Sequence, residues 1–377
     1  MIYLDHNATT PIAPEVFGAM APFLTSEWGN PSSSYRFGAR LRTALEKARE
    51  QVAGLIGCYA GEVLFTSCAT ESNNAALHAA LKARPEKKHL VTSAVEHPSV
   101  LSYCMSLESE GFRVTYLPVD RDGLLTLGDL EAAIRDDTAV VSIMWANNET
   151  GVLFPVKEIA EICRTRGVLF HCDAVQVAGK LAVDVTRVPV DYLSLTAHKF
   201  NGPKGVGALY VNRRAPFSPY LYGGHQERAR RGGTENVALI VGMGVAAELA
   251  RGKVAGYEAR VRPLRDALEG RILAGVGGTE LNGHPTLRLS NTSNITFNGV
   301  ESDALLLLLD EEGICASSGS ACFADSTEPS HVIRAMKPEA GEARQSVRLS
   351  LDVGFRSDDV TRVVAALQGG VSALRGW

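Results

Sequence analysis

Tyr192-Leu-Ser-Leu-Thr-Ala-His-Lys-Phe-Asn-Gly-Pro-Lys-Gly-Val-Gly-Ala-Leu-Tyr-Val211 holds two short apolar runs on either side of a turn rich in Gly and Pro. Runs of this kind, bounded by turn residues, predict strands at Tyr192–Leu195 and Gly207–Val211, with Lys199 just past the end of the first. Working outward, further strands are predicted at Val63–Thr66, Leu90–Ser93, Val140–Trp145 and Val168–Cys172. Helical periodicity fills the intervals at Thr70–Ala83, Asp129–Arg135 and Val156–Arg166. Such alternation predicts an α/β fold, a mostly parallel sheet with helices on both faces. After about residue 255 the rhythm changes. A helix at Tyr257–Leu273, a strand around Ser293–Phe297, a helix at Ser302–Glu312, a strand at Ser346–Leu351 and a helix from about Ser357 predict a small α+β domain. In an open parallel sheet, polar groups at the strand ends converge on one crevice.

The chain of 377 residues, 45% of them hydrophobic, has ample material for a core, and its length suggests a large domain with a smaller one attached. A formal net charge of -4 argues against nucleic acid as a partner. The cluster Arg228, Arg230 and Arg231 reads as a solvated turn. No stretch approaches the apolar length of a membrane span, and the N-terminus shows no signal-peptide pattern. Seven cysteines, with no C-x-x-C pair, fit a reducing compartment and disfavour a zinc site or a disulfide framework. The cytoplasm is the expected location.

Taken alone, each polar residue near a strand end has a bland explanation: Lys199 a surface charge, Asp173 a helix cap, His97 a structural hydrogen-bonder. Together they form a chemical set. A pyridoxal cofactor needs a lysine for covalent attachment and an acid facing its ring nitrogen, so that the ring can accept electrons. Lys199 and Asp173, at the ends of two strands, supply both. Phosphate needs main-chain N–H groups at a helix start plus hydroxyls, which Ala69 and Thr70 offer. His97, in Glu96-His97-Pro98 after another strand, is placed to stack on a ring and move protons. Cys322 lies in Ala316-Ser-Ser-Gly-Ser-Ala-Cys-Phe-Ala-Asp325, a run of mostly small residues that reads as an exposed loop with an accessible thiol. The other six cysteines mostly read as small core residues.

These segments resemble the cysteine desulfurases of the NifS/IscS family, fold-type I pyridoxal-phosphate enzymes, and the NifS branch in particular. The likeness runs from Tyr3-Leu-Asp-His-Asn-Ala-Thr-Thr-Pro11 through Gly29-Asn-Pro-Ser-Ser33, Phe65-Thr-Ser-Cys-Ala-Thr-Glu-Ser72, Ala146-Asn-Asn-Glu-Thr-Gly151, Asp173-Ala-Val-Gln176, Arg231-Gly-Gly-Thr-Glu-Asn236 and Ser317-Ser-Gly-Ser-Ala-Cys322 to the last helix. It implies a seven-stranded sheet in a large cofactor-binding domain, residues 15–255, and a small domain of residues 1–14 and 256–377 carrying the cysteine loop. Pyridoxal 5'-phosphate would be held on Lys199. Asp173 would face the ring nitrogen, His97 would stack on the ring, and Gln176 and Asn148 would lie near the ring hydroxyl and substrate. Thr70, Thr196 and His198 would bind phosphate, joined by Thr234 of a second copy, which implies a homodimer. Arg348 and Asn30 would grip the carboxylate of the substrate, L-cysteine. The sulfur would pass to Cys322 as a persulfide and on to an acceptor protein, an iron–sulfur scaffold for instance.

Three positions depart from the family pattern. Thr196-Ala stands for the usual Ser-Gly, Phe323-Ala-Asp325 follows the cysteine, and Ala343-Arg344 replaces Ala-His; the short C-terminus, ending at Trp377, bears on how an acceptor docks. A selenocysteine lyase or small-substrate aminotransferase is the nearest alternative, and a non-catalytic sulfur carrier is the alternative of another class. An aminotransferase has no need of a thiol at Cys322, and a non-catalytic carrier would show damage at Lys199, Asp173 or Cys322; the sequence shows none.

Overall fold

The structure is a computed structural model and describes residues 1–319, 329–338 and 341–376. Its central sheet has seven strands, in the order Val63–Thr66, Gly207–Val211, Tyr192–Thr196, Leu169–Asp173, Thr138–Ser142, His89–Ser93 and Arg113–Leu117. Gly207–Val211 pairs antiparallel with both neighbours, and every other pair is parallel. Leu169–Asp173 and Tyr192–Thr196 are buried at every position, as strands covered on both faces must be. The α/β sheet expected from the sequence is therefore present.

Some boundaries differ from the sequence reading. The strand expected at Val140–Trp145 is Thr138–Ser142, and the apolar Ile143 and Met144 continue it into the core as irregular chain. Arg113–Leu117 was not anticipated; it is one of the sheet's two edge strands, and only Leu117 in it is buried. The helix expected at Tyr257–Leu273 is the second half of a 39-residue helix, Val237–Gly275, about 58 Å long. Gly252 and Gly256 break its sequence pattern locally, yet the helix runs through this largely exposed stretch, with buried Ala250 and Tyr257 on either side. Its first half lies against Arg36–Ile56, and at Gly244 a Cβ would come within 2.6 Å of the Ala48 Cα, so this close crossing needs glycine.

One face of the sheet and these helices enclose the largest core, which includes Leu41, Val52, Phe170, Leu193 and Met243. A separate apolar cluster joins Ile2 and Leu4 to residues between Tyr257 and Val371. It lies around a three-stranded antiparallel sheet in the order Ser346–Ser350, Thr292–Phe297, Thr279–Asn282, flanked by helices Ser302–Glu311 and Ser357–Arg375. The N-terminal segment ties the two parts together. Ile2–Tyr3 pairs with Ile314–Cys315, Asp5 bridges to Ser350, and the Thr10 N–H donates to the His198 carbonyl. That crossing places Asn7 and Ala8 at the C-terminal end of the parallel strands, beside Lys199.

Candidate active site

A cavity of about 330 Å³ opens where the sequence placed the crevice. Asp173 ends its strand there, 6% exposed. Its Oδ2 accepts from Asn73 Nδ2 at 2.8 Å and its Oδ1 from the Val175 N–H at 3.0 Å. Asn73 also donates to the Ser99 hydroxyl at 2.8 Å, and the Ser99 N–H donates to His97 Nδ1 at 3.1 Å. These bonds fix the carboxylate and the imidazole in one buried network. Burial lowers the His97 pKa; the Asp173 charge opposes that, and the Lys199 charge adds to it.

Lys199 follows its strand by three residues in a short 3-10 turn. Its Nζ donates to the Asn7 and Ala8 carbonyls, both at 2.6 Å. His198 lines the same wall and bonds through Nδ1 to the Thr9 hydroxyl at 3.2 Å; burial, with the Lys199 and Lys204 charges, pushes it down to about 4. The Thr196 hydroxyl donates to the Val206 carbonyl at 3.0 Å, which occupies its one proton.

Helix Ala69–Lys82 begins at the cavity. Its N-cap, Cys68, makes no side-chain cap hydrogen bond, so first-turn N–H groups remain for an anion. Ala69 and Thr70 line the cavity, as do Asn148 and Gln176. Arg348, 2% exposed, donates through Nη2 to Asp5 Oδ1 at 2.6 Å and through Nη1 to the Asn148 carbonyl at 3.0 Å. Its buried Nε has no partner.

Of the residues expected from the sequence, Lys199, His97, Ala69, Thr70, Asn148, Asp173, Gln176, Thr196, His198 and Arg348 all line this cavity. Asn30 and Thr234 do not; both are exposed elsewhere on the chain, and Asn30 Oδ1 accepts from the Ser32 N–H at 2.8 Å. Cys322 lies outside the described residues. Gly319, three residues before it, is part of the cavity wall. The sequence reading missed Asn7, Asn73 and Ser99. Asn73 had a visible signal: it sits three residues after Thr70, on the same helical face. Asn7 had none, because only the tertiary crossing brings it to Lys199. Cys68, read among the core thiols, instead lines the cavity, whereas Cys104, Cys163 and Cys172 are buried.

The donor set fits pyridoxal phosphate: an amine for covalent attachment, a buried carboxylate, an imidazole and an uncapped helix start around one cavity. The class-V aminotransferase family model matches residues 2–363, and the chain belongs to that family, whose enzymes depend on pyridoxal phosphate. Within it, the chain groups with the cysteine desulfurases. It is 49% identical to the cysteine desulfurase NifS of Azotobacter vinelandii, over 99% of this chain and 93% of that one. It is 48% identical to cysteine desulfurase 2 of Trichormus variabilis, over 100% of this chain and 94% of that one. A solved NifS-like protein superposes with a TM-score of 0.92 at 35% identity, covering 99% of both chains. The NifS-like protein from Rickettsia africae does so with a TM-score of 0.88 at 30% identity, covering 100% of both.

Proposed function

We propose that the protein converts L-cysteine to L-alanine and carries the released sulfur on Cys322 as a persulfide. One observation carries this reading. Lys199, Asp173, His97 and an uncapped helix start surround a cavity whose wall includes Gly319, and three residues of chain reach at most about 11 Å, from Gly319 to Cys322.

Lys199 would hold the cofactor, with Asp173 at the ring nitrogen and His97 against the ring. The first-turn N–H groups at Ala69 and Thr70 would receive the phosphate, with His198, Thr234 of the partner subunit, and Thr196 once its hydroxyl turns from the Val206 carbonyl. When bound, pyridoxal phosphate supplies an electron sink for the substrate Cα. Asn73 and the Val175 N–H hold the Asp173 carboxylate in place for it. Lys199, released by substrate, would stand as the amine that takes and returns protons beside the substrate Cα. Arg348 and Asn30 would orient the substrate carboxylate, and Arg348 has an unpartnered Nε to offer. The Cys322 thiolate then attacks the substrate sulfur. An S–S bond forms, the substrate C–S bond breaks, and its electron pair with a proton ends on carbon as alanine.

The division into residues 15–255 and residues 1–14 with 256–377 is supported by the separate apolar cluster around Ile2, Leu4 and the C-terminal elements; the Val237–Gly275 helix runs across it. A homodimer is supported by the exposed Tyr220, Leu221 and Tyr222; the Leu221 carbonyl accepts from the Gly232 N–H at 2.9 Å, two residues before Thr234. The acceptor would be a protein, an iron–sulfur scaffold in the first instance, and the setting the cytoplasm. Unpaired thiols at the six described cysteines support a reducing location, and no described helix is long and apolar enough to cross a membrane.

The test is incubation of the holoenzyme with L-cysteine and a thiol reductant, without any keto acid. Alanine and sulfide in equal amounts are expected. Alanine that appears only when a keto acid is added would mark a transaminase instead.

A further inference from the structure

Lys180 is 5% exposed and lies behind the cavity wall, in the turn that follows Asp173. Its Nζ donates to Gln176 Oε1 at 3.1 Å and to Asn7 Oδ1 at 3.3 Å. Among the described residues, no carboxylate lies within ion-pair distance of it. A buried ammonium served only by neutral amides is costly to keep, which makes its position informative.

Both acceptors touch the active site. Gln176 lines the cavity, and its Nε2 donates to the Asn7 carbonyl at 3.0 Å. The same carbonyl receives Lys199 Nζ at 2.6 Å. Lys180, Gln176 and Asn7 thus close a ring of hydrogen bonds. Because a lysine ammonium only donates, it fixes which way the Gln176 amide points. Asn7 bridges two lysines, Lys180 on its side-chain oxygen and Lys199 on its main-chain oxygen.

Six charged or titratable groups face Lys180. Lys199, Arg348 and Asp352 act on it through their charges. His6, Lys253 and Tyr257 share with it a small cavity of about 40 Å³ that also reaches Lys199. Burial first, then the Lys199 charge, push the Lys180 ammonium down to about 7, against the pull of Asp352, with Arg348 adding to the fall. The repulsion between the two lysines is mutual.

We propose that Lys180 is a positioning residue for this active site, locking the Gln176 amide and Asn7 in one orientation and, while it is protonated, setting a second positive charge against the Lys199 nitrogen. This rests on the reading of Lys199 as the cofactor-holding lysine.

The experiment is a pH titration of the holoenzyme's visible absorption band, without substrate, in the wild type, Lys180→Met and Lys180→Gln. Removing a neighbouring like charge should raise the midpoint by about one pH unit in both variants. In steady-state assays kcat should fall about tenfold in Lys180→Met, with KM little changed. Glutamine keeps a hydrogen-bond donor, so Lys180→Gln decides the matter if the methionine variant does not fold. A wild-type band whose midpoint moves in neither variant overturns this inference alone. A wild-type protein that forms no such band overturns the cofactor-lysine reading, and this inference with it.

Discussion

The two walls of the cavity are held by different means. On one wall, Asp173, Asn73, His97 and Ser99 each sit at or near the end of a regular element, and their hydrogen bonds follow from the packing of helix on sheet. On the other, Asn7, Asn148, Gln176 and Arg348 are held by bonds that cross most of the chain. Arg348 reaches Asp5, and Asn7 donates to the Asn148 carbonyl at 3.1 Å and to Thr292 Oγ1 at 2.9 Å. The first wall is set once the sheet forms. The second is complete only when the N-terminal segment and the small sheet have closed over it. The sheet wall should therefore govern cofactor chemistry, and the closing wall substrate grip and lysine geometry.

That contrast can be broken at several points. Asp173→Ala strikes the sheet wall hardest. Turnover should fall by at least about 10³-fold, with a weakened visible band, because Asp173 is the one acid among the described residues that line the cavity. Arg348→Lys strikes the closing wall. It should raise KM for the substrate about tenfold or more while the visible band stays intact, since a lysine cannot grip a carboxylate with two parallel bonds. Loss of the band in Arg348→Lys would show that the two walls are not separable. Asn73→Ala removes one bond to a charged group, and turnover should fall about three- to tenfold with KM little changed.

A further effect is on stability. In the unfolded chain Lys180 carries its proton up to about pH 10.5, and in the folded protein only to about 7. Between those values the unfolded state holds the extra proton, so stability rises with pH across the window. Below about 7 the penalty of the buried charge is present in full. Urea midpoints measured at pH 6.5 and 9 should rise for the wild type relative to Lys180→Met, and a parallel response in the two proteins would remove the assigned charge.

Half of the sheet wall, Asp173 and His97, was legible in the sequence. Asp173 and Lys199 follow strands whose apolar runs are unmistakable, and Thr70 opens a helix directly after one. The edge strand Arg113–Leu117 was hidden because Arg113 and Thr115 keep its apolar residues from forming a continuous run, and the long helix Val237–Gly275 because Gly252 and Gly256 interrupt its pattern. Much of the closing wall was legible only through the family resemblance, which flagged Asn148, Gln176 and Arg348. Asn7 and Lys180 carried no local signal; their partners are distant in the chain or a turn away behind the wall, and spacing alone does not reveal them. Thr234 and Asn30 lie away from the cavity within one chain; for Thr234 the resemblance had implied a place in a second copy, and for Asn30 it had not.

The central claim is that sulfur leaves the substrate by attack of Cys322. Its most direct test compares alanine and sulfide release from L-cysteine plus a thiol reductant in the wild type and Cys322→Ala, both loaded with cofactor. The account predicts both products from the wild type, and a variant that keeps its yellow colour but makes neither. A variant that matches the wild type would contradict it, because sulfur would then leave by direct elimination or through another thiol.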